Sequence, residues 1–427
     1  MASSTTYGLP ATTGLIHFRR VPATLQQRWF LAAAVAAILS ATLFPISGGD
    51  PEPWLGCVLC GERGIADALI NVLLFLPLGA ALAAAGMPWA RCLLGGALLS
   101  AGVEFAQLYI PGRDPSLGDV LSNTLGAGLG AALIPRAWSW LLPAGNRAAW
   151  MCRAAALAAA ALCYVTGWLL APALPQGDYA TVWAPHFVHL AWYPGRVRDA
   201  TIGDVGVPEG AIAGSAAVRD LVRSPQGFAL HVAAIAGSRP AGLGGLLAVY
   251  DERSREVLLV GPDRDDLVFR LRTRATAWHL DQPDVRLPHA LRSVAPGDSL
   301  DVTVHERRGR YAMSVGSSDA EGLGPTVGSG WGILMYPESL PAPLKTVLTF
   351  GWVAAMWLPA GLWARTRRDG LTIAAAAVAG LLGAPALLPL CPTPLLEWAA
   401  AGLGVFGGAA TAVILRRRTV SPTVPPD

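Results

Sequence analysis

The stretch Val103–Gly130, VEFAQLYIPGRDPSLGDVLSNTLGAGLG, joins two apolar segments through a short polar turn. It sets Glu104, Arg113, Asp114, Asp119 and Asn123 where the hydrocarbon of a bilayer would begin. A charged side chain at mid-membrane costs about 2.5–3.5 kcal/mol on insertion scales. So dense a polar group calls for a reason.

The rest of the chain agrees that a membrane is involved. Of 427 residues, 53% are hydrophobic and only 14% charged, which is too apolar for an ordinary soluble protein. The composition changes between Pro175 and Leu340, where about two thirds of the acidic residues and six of the seven histidines lie. No apolar run there is long enough to cross a bilayer, so two membrane blocks flank one polar domain. The formal charge of +3 comes from arginines scattered at span ends, and no basic stripe with interleaved aromatics points to nucleic acid.

A helix needs about 20 apolar residues to cross. The spans expected are Arg28–Ile46, Ile65–Gly86, Arg91–Ile110, Gly118–Pro135 and Ala149–Ala171, then Leu344–Ala364, Leu371–Leu390 and Leu395–Leu415, about eight in all. With the N-terminus inside, thirteen arginines fall at cytoplasmic ends. The outer side then has Arg63, Arg113 and Lys345. Both termini are thus expected in the cytoplasm, as tails 1–27 and 416–427. Blocks 28–171 and 344–415 cross the membrane, and 175–340 lies outside.

Three successive spans carry the same device at their outer ends. Asp67 and Asn71 are four apart, Glu104 and Gln107 three apart, and Asp119 and Asn123 four apart. Such spacings put each acid and amide on one helix face, and polar groups at that depth turn from lipid. Converging faces would make an outward-open pocket of Asp67, Asn71, Glu104, Gln107, Asp119 and Asn123, covered by Arg113 and Asp114. The plainer reading has these groups satisfy one another as polar glue between helices. Gly126 and Gly130 form a G-x-x-x-G face, Gly95, Gly96 and Gly102 thin the third span, and Pro77 interrupts the second.

The run DALINVLLFLPLG followed by Val103–Gly130 resembles the VanZ-like membrane family. Its pattern is met at Asp67, Asn71, Phe75, Pro77, Gly79, Glu104, Gln107, Arg113, Asp119, Asn123, Gly126 and Gly130, over roughly Thr42 to Pro135. The resemblance implies a helical fold and a bacterial envelope. It implies little about activity, since one member is associated with low-level teicoplanin resistance by an unestablished mechanism.

Cys57 and Cys60 form C-x-x-C on the outer, oxidising side, where a disulfide, free thiols or half a zinc site are all open. Cys92, Cys152, Cys163 and Cys391 lie in or beside apolar spans and read as small hydrophobes.

From about Pro185 the texture alternates apolar and polar, the mark of antiparallel strands. The segments GFALHVAAIA, GGLLAVYDERSREVLLVG and DDLVFRLRT read as successive strands. A hairpin is expected from Leu300–His305 and Tyr311–Val315, turning at Arg308-Gly309. The expected fold is therefore a polytopic helical membrane protein with an all-β jelly-roll sandwich. The strand order over Arg219–Val315 resembles laminin-G or concanavalin-A-like domains, which implies carbohydrate binding, sometimes through calcium. Asp263, Asp265 and Asp266 make an acidic turn with oxygen donors suited to calcium, or simply a solvated one.

The last span faintly echoes the fourth. A shift of 278 residues sets Glu397 on Asp119, Gly404 on Gly126 and Gly408 on Gly130, with Ala401 in place of Asn123. An internal duplication without the amide would explain this, and chance likeness of Gly- and Ala-rich helices is the simpler account. Either way Glu397 sits at the outer edge, within reach of the polar cluster.

Three functions fit. The first is an envelope protein that binds a polar lipid head group or glycan, with membrane lipids and cell-wall glycan or its lipid-linked precursor as partners. The second is an intramembrane enzyme acting on that precursor, with Glu104 and Asp119 as acid and base. The third is a membrane platform for the lectin-like domain. No cofactor is called for. The chain has no G-x-S-x-G elbow and no H-E-x-x-H helix.

Overall fold

The computed structural model describes residues 24–44, 58–59, 61, 63–113, 115–187, 190–282, 284–335 and 340–420. The first helical block contains α1 (Leu25–Thr42), α2 (Gly64–Ala84), α3 (Trp89–Gln107), α4 (Leu117–Leu133), the short α5 (Ala137–Leu141) and α6 (Asn146–Leu169). Local chemistry sets several starts. Thr24 and Gln27 form a capping box on α1, and the Ser116 hydroxyl accepts the Gly118 N–H at 3.0 Å to open α4.

The β region runs through β1 (Tyr179–Trp183), β2 (Arg196–Ile202), β3 (Val205–Gly206), β4 (Gly210–Ile212), helix α7 (Ser215–Arg223) and β5 (Phe228–Ile235). It continues with β6 (Leu247–Asp251), β7 (Glu256–Asp263), β8 (Asp266–Leu271), the turn-like α8 (Arg274–Ala277), β9 (Val285–Leu287), β10 (Ser299–Arg307), β11 (Arg310–Val315) and β12 (Ser318–Leu323). After it come α9 (Ala342–Trp363), α10 (Arg367–Val378), α11 (Ala384–Leu387) and α12 (Leu395–Val420), with a π turn at Ala379–Gly383 joining α10 to α11.

Among the described residues six helices are long and apolar enough to cross a membrane: Gly64–Ala84, Leu117–Leu141, Asn146–Leu169, Ala342–Trp363, Arg367–Leu387 and Leu395–Arg417. Helices α1 and α3 are not among them. The opening Leu-Gln-Gln-Arg of α1, and Gly95, Gly96, Ser100, Glu104 and Gln107 in α3, dilute their hydropathy. Each segment read as a span from the sequence falls on a helix, with ends displaced by a few residues, but only six of the eight qualify as spans.

Two helix pairs meet backbone to backbone. A Cβ on Gly126 would run into the Val72 carbonyl oxygen, one on Gly130 into that of Leu76, and one on Gly79 into that of Ala127. These glycines bring α4 onto α2 with only main chain between them, the contact that small residues permit in membranes. Helices α9 and α12 meet likewise, Gly404 at Ala354, Gly408 at Leu358 and Gly361 at Val405. Helix α6 packs on α9 and α10 around Cys152, Ala156, Cys163, Trp357 and Ala376. The buried cysteines Cys92, Cys152, Cys163 and Cys391 are free thiols.

The β region is two antiparallel six-stranded sheets, ordered β4-β1-β6-β7-β8-β9 and β12-β11-β10-β5-β2-β3. In the second sheet β5, β10 and β11 alternate buried and open residues, so one face is apolar. Val232, Val302 and Val315 lie side by side in register on that face, packed in one core with Val249, Val260 and Phe269 of the first sheet. Strands β6, β7 and β8 are buried on both faces. Leu190 and Leu243 cover the outer side at Ala248 and Leu259.

The hairpin at Arg308-Gly309 forms as the sequence suggests, with φ of +55° and +75° at the two positions. Its tip reaches the membrane helices, for a Cβ on Gly309 would strike the Pro389 carbonyl between α11 and α12. Gly309→Val should therefore cost about 2 kcal/mol, from the left-handed backbone and the clash together. A lower melting temperature of the full chain in detergent would register it, and an unchanged one would contradict this docking.

Candidate functional site

Three of the predicted polar residues meet on the facing sides of α2 and α4. The Asn71 Nδ2 donates to Asp119 Oδ1 at 2.8 Å. Asp67 lies one turn before Asn71, on the same face of α2. Its side chain is 48% exposed, so this group is reachable from outside the helix packing. Among the described residues Asp119 Oδ2 accepts no hydrogen bond, leaving a charged acceptor at the helix ends.

The sequence reading missed the positive partner. Arg63, the residue before α2, lies 3.6 Å from Asp67 and 3.5 Å from Asp281 of the β region. The carbonyl of His279 accepts the Ile65 and Ala66 N–H groups at 3.2 Å each, filling orphan donors at the start of α2. Asp281 also donates its own N–H to Ile333 at 2.8 Å, and its side-chain oxygen accepts the Gln282 N–H at 2.8 Å. Burial pushes the Asp281 carboxyl up to about 6 although Arg63 pulls it down. Arg63 was visible at the start of α2, but nothing local marks Asp281, 218 residues away.

The other predicted residues are spent on structure. Glu104 is buried and its carboxylate accepts the Ser116 N–H at 2.8 Å, which holds the start of α4 to the end of α3. Gln107 Nε2 donates to the Thr42 carbonyl at 3.0 Å. Arg113 donates to the Phe44 and Ala41 carbonyls at 3.0 and 2.9 Å, so it closes the C-terminus of α1 and does not cover Asp119. Asn123 is 1% exposed and donates to Ser100 Oγ on α3 at 2.9 Å, while its Oδ1 has no partner among the described residues. Thr42, Ser100 and Ser116 were not singled out, since common hydroxyl residues carry no signal of their own.

Glu397 does not join this group. It is buried in the first turn of α12, accepting from Thr326 Oγ1 and, at 2.9 Å, from the Gly328 N–H. Asp114, Cys57 and Cys60 lie outside the described residues. At the acidic turn, Asp265, Asp266 and His289 hold ligand atoms within 4.8 Å of one another. Arginines supply countercharge there: Arg286 sits 2.7 Å from Asp263 and 3.6 Å from Asp266, and Arg292 sits 3.5 Å from Asp265.

Comparison with protein families finds a match to the VanZ/LLP1 model over residues 3–140, so this part of the chain is a VanZ-like domain. No curated protein and no solved structure matches the chain.

Proposed function

We propose that the VanZ-like domain is the ligand-holding part of a bacterial envelope protein, taking a polar lipid head group or glycan at Asp67, Asn71 and Asp119. The observation that carries this is the split within the cluster. Glu104, Gln107, Arg113 and Asn123 bind neighbouring elements, whereas Asp119 keeps an oxygen without a donor among the described residues, beside the half-exposed Asp67. A carboxylate pair with an amide suits a hydroxyl-rich or cationic group and repels a bare phosphate. An enzyme using Glu104 and Asp119 as acid and base is the weaker reading, because the Ser116 N–H already engages Glu104.

In this proposal the chain crosses the cytoplasmic membrane eight times, α1 and α3 included, with both termini inside and the β region outside. Contacts at the two helix ends support the alternation. The Trp363 Nε1 donates to the Trp140 carbonyl at 2.7 Å on the arginine-rich side, and Gln107 meets Thr42 on the other. The β region is read as a laminin-G or concanavalin-A-like jelly roll that engages glycan above the site, supported by its paired antiparallel sheets. The family's association with teicoplanin resistance fits an envelope-facing role.

The test uses the full chain in nanodiscs of bacterial polar lipid, with retained lipid read by native mass spectrometry. Asp119→Asn should reduce specifically retained lipid about tenfold, since a neutral acceptor makes the weaker hydrogen bond. An unchanged lipid complement would end this reading.

A further inference from the structure

Two helices of the second block, α9 and α12, repeat the glycine–carbonyl contacts that join α2 and α4 of the VanZ-like domain. A shift of 282 residues carries Val72, Leu76 and Gly79 of α2 onto Ala354, Leu358 and Gly361 of α9. A shift of 278 carries Gly126, Ala127 and Gly130 of α4 onto Gly404, Val405 and Gly408 of α12. Each glycine–carbonyl contact between α2 and α4 reappears between the shifted residues of α9 and α12, without exception among the three. The same shift sets Pro77 on Pro359, each inside its helix, and Phe75 on Trp357, each with no exposed surface. Chance likeness of small-residue helices does not reproduce a register in three dimensions. Helices α1 and α6 pack likewise on α2 and α9, whereas the third helices differ, α3 packing on α4 and α10 on α6. The β region enters between α6 and α9, the counterpart of the loop between α1 and α2.

The same shifts put Thr349 at the place of Asp67, Val353 at that of Asn71 and Glu397 at that of Asp119. One strap of the chain covers both surviving polar positions. Thr326 Oγ1 and the Gly328 N–H donate to Glu397, and Trp331 Nε1 donates to Thr349 Oγ1 at 2.9 Å. A Cβ on Gly328 would strike the Glu397 carboxylate, so the strap is seated tightly. In the first unit Asn71 supplies the amide donor, and the second oxygen of Asp119 has no donor among the described residues.

We infer that the membrane part contains two copies of one helix pair, α2 with α4 and α9 with α12, and that the strap fills in the second copy the place a ligand takes at Asp119 in the first. This rests on the head-group reading above and narrows it. Every group the strap presents is a hydrogen-bond donor: a hydroxyl, an amide N–H and an indole N–H. The open oxygen of Asp119 has its counterpart in a Glu397 oxygen that the strap supplies with a donor. The ligand class is thus a donor-bearing head group, a part that the hydroxyls of a sugar can play, and not a phosphate, whose oxygens only accept.

The full chain in phosphatidylcholine nanodiscs doped with monoglucosyl diacylglycerol, or with its tetra-O-methyl derivative, tests this. Native mass spectrometry reads the lipid retained. The native chain should keep the glucosyl lipid at least tenfold over the methylated one. Asp119→Asn should erase that preference, with Asp67→Asn as a second variant on a half-exposed residue. Glu397→Gln should leave the preference intact and lower the melting temperature, and Thr326→Val should add little to it. Methyl glucoside in solution that displaces the lipid would identify a soluble glycan as the source; lack of displacement would identify the lipid. Equal retention of both lipids, lowered together by Asp119→Asn, would overturn the hydroxyl inference and leave the head-group site standing. No effect of Asp119→Asn or Asp67→Asn on either lipid would remove the site itself. A Glu397→Gln chain that loses the preference as Asp119→Asn does would overturn the filled second copy.

Discussion

Gly79→Ala and Gly361→Ala should each destabilise the protein by about 2–4 kcal/mol, and by similar amounts. At both positions the added methyl would meet a main-chain carbonyl of the facing helix, Ala127 at one and Val405 at the other. A side chain in the way can change rotamer, but a helical carbonyl moves only if the helices part. Parting them also gives up the close contact at Gly126 and Gly130, or at Gly404 and Gly408. The control lies on α12 itself, where a methyl added at Gly402 or Gly407 would meet nothing within 4 Å. Gly407→Ala should therefore stay within about 0.5 kcal/mol of the native chain, or gain slightly from helix propensity. Thermal unfolding of the full chain in detergent, followed by loss of the monodisperse species, would compare the three variants with the native chain. If Gly79→Ala and Gly407→Ala melted alike, the backbone-to-backbone packing of α2 on α4 would be wrong.

The second large effect concerns Arg63 and Asp281. Removing Arg63 leaves a buried carboxylate without its partner, a change that costs about 3–5 kcal/mol when the pair is fully enclosed. Arg63 is 34% exposed and the contact is 3.5 Å, so about 2 kcal/mol is expected for Arg63→Ala. The pH dependence carries the signature. The folded carboxyl titrates at about 6, above its ordinary 3.8, so its protonation adds stability that is fully present below pH 3.8 and lost as pH rises through 6. Arg63→Ala takes away the influence that lowers this pKa, so the variant should be hurt most at about pH 8. It should approach the native chain near pH 5, where Asp281 holds a proton. Asp281→Asn should flatten the pH dependence across this window and make Arg63→Ala nearly silent. A deficit of Arg63→Ala that was the same at about pH 5 and pH 8 would show that the pair does not link α2 to the β region.

Much of the architecture could be read in advance because it rests on local chemistry. Length and apolarity marked the long helices, and alternation with a Gly turn marked the β10–β11 hairpin. The fate of the polar residues could not be read in this way. The spacing of Glu104 and Gln107 places them on one face of α3, but whether that face meets a ligand or Ser116 depends on how α3 is rotated against α1 and α4. Arg113 looked like a cover for the acids because it is a nearby cation. It is instead committed to carbonyls at the end of α1, 69 and 72 residues earlier in the chain. The echo at Glu397 was visible as a shift of one helix, yet it remained ambiguous while its partner helix was unknown. The contacts between α9 and α12 are what the inferred duplication rests on, since their two shifts differ by four residues and no single offset aligns both.

The sequence alone determined which segments are long and apolar, where the chain turns, and that acids and amides sit together at the ends of three helices. Those properties follow from transfer energy and from helical or strand periodicity, which act within a few residues. Only the tertiary structure decided which polar groups are consumed and which stay open, that Arg63 reaches Asp281, and that Glu397 is closed by the strap from the β region. Hydrogen bonds and close packing are selective to a few tenths of an ångström, and which groups come that near is set by the docking of distant elements.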